Sequence, residues 1–175
     1  ARAAARTAKS FGALTVLGGP HPTLLPDDCI AHPSVDLVLR GEGEAALVEI
    51  VRALASDAPS ARERWGGVRG LSWKDESGRI QHNLARPLEP NLDSLAFPAY
   101  HLFPIERYTN LQPLTDGLDL RARAFTIVTS RGCPYQCTYC SKPITGNTWR
   151  PRSVQNVVAE WRLLVRELRA TEIGV

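Results

Sequence analysis

The chain has 175 residues, 43% of them apolar and 22% charged, which is enough for one or two globular cores. Its net charge of +3 comes from scattered basic residues with no lysine or arginine block, which argues against nucleic acid as a partner. No apolar run reaches the roughly 20 residues of a membrane span, and a chain with three of its four cysteines crowded into one stretch fits a reducing, cytoplasmic setting better than a disulfide scaffold.

Residues 1–12 are rich in alanine and read as the end of a helix, with Gly12 as its stop. They lack the apolar core segment and cleavage pattern of a targeting peptide. Residues 13–17 form a short apolar strand without alternation, expected to be buried on both faces of a parallel sheet. The strand ends in Gly18-Gly19-Pro20-His21-Pro22. Two glycines there let a backbone or a ligand approach closely, although a plain strand-to-helix turn uses the same residues. A short helix is expected next, with Pro26 in its first turn, Asp27 and Asp28 at its positive end, and Cys29 as packing. Residues 35–39 are the next strand and lead into Arg40-Gly41-Glu42-Gly43-Glu44. Residues 44–55 then read as a helix whose apolar face is Leu47, Ile50, Val51 and Leu54. This alternation describes the closing part of a doubly wound parallel α/β sheet. Ligands in such sheets bind beyond the carboxyl ends of the strands, where both glycine stretches fall.

Residues 56–66 read as a linker. A hairpin is expected from residues 68–73 and 79–83 around the turn-forming 74–78, followed by a proline-rich extended strap over 86–98. Residues 106–120 carry no clear signal. Residues 125–129 are an apolar strand that runs into Ser-Arg-Gly-Cys-Pro-Tyr-Gln-Cys-Thr-Tyr-Cys, so that Cys133, Cys137 and Cys140 stand at C-x3-C-x2-C. Beyond them, Arg150 and Arg152 are expected in a solvated loop, with a carboxylate or phosphate near the cysteines as the alternative. Ser153 is a good N-cap for a helix whose apolar residues, Val154, Val157, Val158, Trp161, Leu164, Val165 and Leu168, are expected to pack on a sheet. Strand, cysteine loop, helix and incipient strand make the first unit of a parallel barrel, whose sites lie at the strands' carboxyl ends.

Three thiols so close cannot all pair with one another, whereas a soft-ligand metal centre uses all three. Structural zinc prefers four protein ligands, and Cys29 and His101 have no supporting spacing for the fourth place. An iron–sulfur cube on three cysteines leaves one iron open to a small molecule, as chemistry requires. Zinc and three unrelated thiols remain as alternatives.

The segment Cys133-Pro-Tyr-Gln-Cys-Thr-Tyr-Cys140 resembles the CxxxCxxC signature of the radical S-adenosylmethionine (radical SAM) enzymes. The resemblance implies a [4Fe-4S] cluster on Cys133, Cys137 and Cys140, S-adenosyl-L-methionine chelated at the open iron, and Tyr139 packed near its adenine. It also implies an electron donor such as flavodoxin or ferredoxin and a small-molecule or lipid substrate. Gly-Gly-Pro-His-Pro-Thr and Asp-Leu-Val-Leu-Arg-Gly-Glu-Gly-Glu look like the closing half of the cobalamin-binding domain found before the radical domain in one large subgroup. On that resemblance Gly18 and Gly19 line the pocket of the cobalamin nucleotide tail, with Gly41, Glu42 and Gly43 on the neighbouring strand end. The DxHxxG motif of cobalamin domains is not in this chain, and His21 is not at that motif's position. The implied organisation is a Rossmann-like cobalamin half-domain over 1–58, a linker with hairpin and strap over 59–120, and the start of a radical SAM barrel over 121–175. The absence of methionine and the strand-like ending read as an excerpt of a longer protein. A radical SAM enzyme without cobalamin, of methylthiotransferase type, and a zinc-binding interaction module are the rival readings.

Overall fold

The computed structural model describes residues 1–107 and 123–175. They group into two units, Ala1–Glu89 with Cys133–Asn147, and Pro90–Gly132 with Thr148–Val175. The expected start of the barrel at 121 falls outside the described residues.

The first unit is built on a four-stranded sheet in the order β1 (Val16–Leu17), β2 (Leu37–Leu39), β3 (Leu71–Lys74), β4 (Ile80–His82). β1 and β2 are parallel, in the register Val16↔Leu37 and Leu17↔Val38. The expected parallel sheet is in fact mixed, because the hairpin placed between domains pairs antiparallel with β2, Leu37↔Trp73 and Leu39↔Leu71. The gain from this pairing is apolar: Leu71 and Trp73 complete the face that Leu37 and Leu39 begin. Side chains alternate across a strand. Leu37 and Leu39 therefore join one core, while Val38 joins a second with Cys29, Ile30 and Val35 on the other face. Burying one such side chain contributes about 1.5–3 kcal/mol.

Helices cover both faces. After α1 (Arg2–Ser10), the single helix expected near Pro26 is two: α2 (Pro20–Leu24), which opens directly after Gly19, and α3 (Pro26–Ala31). Each carries a proline in its first turn, where the missing N–H costs nothing. His21 and Pro22 are thus helical, not loop. The 13–17 strand is shorter than expected, and Val16 and Leu17 are half-buried, since β1 pairs only with β2 among the described residues. α4 (Glu44–Leu54) packs on the sheet through Ala46, Ile50 and Ala53, whereas Leu47, Val51 and Leu54 of the expected face are exposed. The supposed linker holds α5 (Ala61–Trp65), capped by Ser60 Oγ accepting from the Glu63 amide at 3.1 Å and anchored by buried Trp65.

In the second unit, β5 (Ala124–Thr126) and β8 (Glu172–Gly174) are parallel neighbours joined through α6 (Val154–Arg166), the expected strand–helix–strand unit. Between β5 and α6, β6 (Ser130–Arg131) pairs antiparallel with β7 (Arg150–Pro151) and closes the stem of the cysteine loop. Ser153 caps α6 as expected, its Oγ accepting from Asn156 N at 3.1 Å. Two expectations fail here. Arg150 is buried rather than solvated. Arg152 is turned inward, with its side chain 10% exposed against Glu160 at 4% and an N···O distance of 2.5 Å. The apolar face of α6 is also split: Leu164 is buried together with Glu160, whereas Val154, Val158, Trp161 and Val165 are exposed to differing degrees. Burying a charge pair in place of Trp161 rotates the inward face from the one hydrophobicity suggests.

Candidate cofactor-binding site

The loop that follows β6 is organised by its own backbone. Cys133 N donates to Gly146 O at 3.4 Å, Cys140 N to Cys137 O at 3.0 Å and Gly146 N to Lys142 O at 3.2 Å. Lys142 Nζ donates to Cys133 O at 3.1 Å and also to Tyr135 O. Nothing in the spacing of the cysteines singled out this lysine, which gathers two carbonyls of the loop.

None of the three loop cysteines is in a disulfide; Cys137 and Cys140 are exposed and Cys133 is half-exposed. Cys137 and Cys140 border an open recess of about 400 Å³ with Gln136, Ser141, Lys142 and Asn147. Tyr139 is 90% exposed, so its ring is available to a ligand and held by no core. Among the described residues the three sulfurs are not drawn within 4.8 Å of one another. A single tetrahedral ion, with metal–sulfur bonds of about 2.3 Å, would need them closer. A cluster, in which each thiolate takes a different metal, has no such requirement. Accessible thiols outside any disulfide are the donor type that a three-cysteine cluster uses.

The two glycine stretches meet at the carboxyl ends of β1 and β2. Gly19 has φ 104° as the N-cap of α2, and Gly41 has φ 81°. Such angles are costly for residues with a Cβ, yet a Cβ on either would meet nothing within 4 Å. Their glycine character thus comes from backbone shape beside open space. The other two glycines differ: a Cβ on Gly18 would lie 3.7 Å from Leu39 O, and one on Gly43 only 3.1 Å from Leu39 Cδ2. Glu42, between them, is buried, and its Oε2 accepts from Glu89 N at 2.9 Å. Its carboxylate thereby holds the chain entering the strap. Thr23, absent from the expected set, links the two stretches: its Oγ1 donates to Gly19 O at 2.8 Å and accepts from Gly41 N at 3.0 Å.

Two other groupings resemble sites and are not. His21, Asp28 and Cys29 offer three ligand atoms within 4.8 Å. Asp28, however, is held by the Arg2 guanidinium at 2.8 Å, and burial, with Asp28 second, pushes the Cys29 thiol pKa up. This is an ion pair over a packed thiol. Ser72 Oγ, His82 Nδ1, His82 Nε2 and Asp27 Oδ1 form a chain with contacts of 2.8 and 2.9 Å. Ser72 is fully buried, so the hydroxyl cannot meet a substrate; the chain ties α3 to the hairpin.

No protein-family model matches the chain. An uncharacterized methyltransferase of Pyrococcus horikoshii is 37% identical over 160 residues, 90% of this chain and 32% of the relative. The anaerobic magnesium-protoporphyrin IX monomethyl ester cyclase of Cereibacter sphaeroides is 31% identical over 156 residues, 89% of this chain and 24% of the relative. The structure of TsrM from Kitasatospora setae, a radical S-adenosylmethionine methyltransferase with cobalamin and a [4Fe-4S] cluster bound, superposes with a TM-score of 0.62 at 21% identity, covering 95% of this chain and 31% of that one. The chain thus spans about a third or less of the length of these proteins. Among the described residues no helix is long and apolar enough to cross a membrane. Over most of its length the chain thus resembles part of a methyltransferase and part of a cyclase in sequence, and it shares the fold of part of a radical S-adenosylmethionine methyltransferase that binds cobalamin.

Proposed function

We propose that the protein is a radical SAM enzyme that works with cobalamin, and that this chain carries one cofactor-binding edge and the cluster loop. The observation that carries the reading is the loop of three accessible, unpaired cysteines on a self-bonded backbone. Cys133, Cys137 and Cys140 would hold the [4Fe-4S] cluster, leaving one iron without a protein ligand. A cluster held there would supply the one-electron chemistry that cleaves S-adenosyl-L-methionine to methionine and a 5′-deoxyadenosyl radical for hydrogen abstraction. Tyr139, exposed on the loop, would pack near the adenine. Lys142 keeps the loop closed while the thiolates are engaged. Gly18, Gly19, Gly41, Glu42 and Gly43 form the edge that receives the cobalamin tail, with the open space beside Gly19 and Gly41 as the approach.

Residues 1–58 are the cobalamin half-domain, 59–120 the hairpin and strap, and 121–175 the start of the radical SAM barrel. The substrate is a small molecule or a lipid, and the electron comes from a flavodoxin- or ferredoxin-type donor in a reducing, cytoplasmic compartment. Methyl transfer is the favoured outcome, on the name of the Pyrococcus relative. Ring formation is the second, on the name of the cyclase.

Anaerobic reconstitution of the full-length protein tests the reading through iron and sulfide content and formation of 5′-deoxyadenosine. Replacing any one of Cys133, Cys137 or Cys140 with alanine is expected to abolish that cleavage. Zinc with no iron, or unimpaired cleavage in a single-cysteine variant, overturns it.

A further inference from the structure

The amide of Gly41 poses an accounting problem. A buried or half-buried backbone N–H needs a partner. Successive amides of a strand point to opposite sides, and Arg40 N reaches Gly70 O on the β3 side at 2.9 Å. Gly41 N therefore faces the β1 side. There β1 has already ended at Leu17, and the chain has turned through Gly19 into α2. Among the described residues no strand carbonyl remains on that side, and the hydroxyl of Thr23, one turn into α2, takes its place at 3.0 Å. The same hydroxyl donates its proton to Gly19 O at 2.8 Å. One oxygen thus accepts from one glycine loop and donates to the other, using both its capacities.

We propose that Thr23 is a positioning residue for the cobalamin tail: a strut that sets the separation of the Gly19 and Gly41 backbones at the diverging ends of β1 and β2. This rests on the cobalamin reading above. Both glycines lie in the left-handed region with open space where a Cβ would stand. Gly19 O also accepts from Thr23 N at 3.1 Å, the first turn of α2, so the bond that crosses from one loop to the other is that of the Gly41 amide to the Thr23 hydroxyl. Serine preserves both bonds; valine preserves shape and volume and removes both.

The experiment uses full-length protein, with hydroxocobalamin as the probe, and compares wild type with Thr23→Val, Thr23→Ala and Thr23→Ser. Cobalamin affinity is measured by titration, and exchange of the Gly41 amide by hydrogen–deuterium exchange of the surrounding peptide. The expected result is an affinity loss of about tenfold in the valine and alanine variants, the scale of one unsatisfied hydrogen-bonding group. Gly41 exchange should also be faster in those two, with serine restoring both readouts and iron content unchanged. Wild-type affinity in valine and alanine variants overturns the strut while leaving the cobalamin reading intact. A serine variant as impaired as valine also overturns it, because the methyl group would then be what matters. Wild-type protein that takes up no cobalamin overturns the reading and the proposal together.

Discussion

Arg152 gathers more partners than any spacing of its neighbours would suggest. Its guanidinium donates to Asn156 Oδ1 at 2.6 Å, to Val128 O at 2.9 Å and to Glu160 Oε2 at 2.5 Å, and lies 5.5 Å from the Phe97 ring centroid. Glu160 is also hydrogen-bonded by the Tyr100 hydroxyl, whose pKa is raised by burial and then by that carboxylate. An ion pair this enclosed gives little net stability, but removing one partner strands the other charge. Arg152→Met is therefore expected to cost about 3–5 kcal/mol. The double variant Arg152→Met with Glu160→Leu should recover much of that loss. Urea denaturation monitored on the second unit's tryptophans, Trp149 and Trp161, separates the cases; equal losses in single and double variants would mean that packing, not charge, sets the cost. Arg152→Lys should behave more like methionine than like arginine, because one ammonium cannot reproduce the planar fork.

The hairpin of β3 and β4 is held at its turn by Asp75, whose carboxylate accepts from Ser77 Oγ at 2.6 Å, Ser77 N at 2.9 Å, Arg79 N at 3.0 Å and Gln81 Nε2 at 2.8 Å. These bonds, led by the Ser77 hydroxyl, lower its pKa to about 2. A carboxyl depressed in the folded state supports the fold above its unfolded value of about 3.9. That support is lost as pH falls through about 2. A carbon-detected titration of the Asp75 carboxyl should place its midpoint there, with the Ser77 and Arg79 amides shifting together; a midpoint near 4 would show that the turn does not engage the carboxylate. This turn was legible in the sequence because its cause is local. So were the Ser153 cap and the proline starts, each set by residues a few positions apart. The inward faces of α4 and α6 were not. On α4, Trp65 and Trp73 fill the volume over the sheet, so the helix approaches through Ala46 and Ala53 and its larger Leu47 and Val51 are left outside. On α6, Glu160 reads as a surface residue until Arg152 comes to meet it. In both, the deciding partner lies in another element, beyond the reach of helical periodicity. The same holds at the candidate sites: the cysteine spacing announced itself, whereas Thr23 acquires meaning only when strands whose paired residues are 21 apart, Leu17 and Val38 among them, end side by side.

The two candidate sites differ in how they are held, and this governs how a lesion in one should affect the other. The glycine edge depends on long-range contacts: the β1–β2 register, the Thr23 strut, Arg40 N on Gly70 O and Glu42 on Glu89 N. The cysteine loop is bonded within itself, through Gly146, Cys137 and Lys142. None of these named hydrogen bonds is common to both, although Gly146 lies against Leu88, the chain neighbour of Glu89. Effects at sites without shared partners are close to additive. In full-length protein, Cys137→Ala should therefore lose iron while binding hydroxocobalamin within about twofold of wild type, a difference of about 0.4 kcal/mol. Thr23→Val should do the reverse and keep its iron and sulfide. Measuring both cofactors in both variants gives four values, and the expected pattern is two losses on the diagonal. If Cys137→Ala lowered cobalamin affinity tenfold, the loop would be supporting the glycine edge after all, and its internal hydrogen bonds would be insufficient to hold it. If Thr23→Val shed iron, the strut would act on the fold as a whole rather than on one pair of backbones.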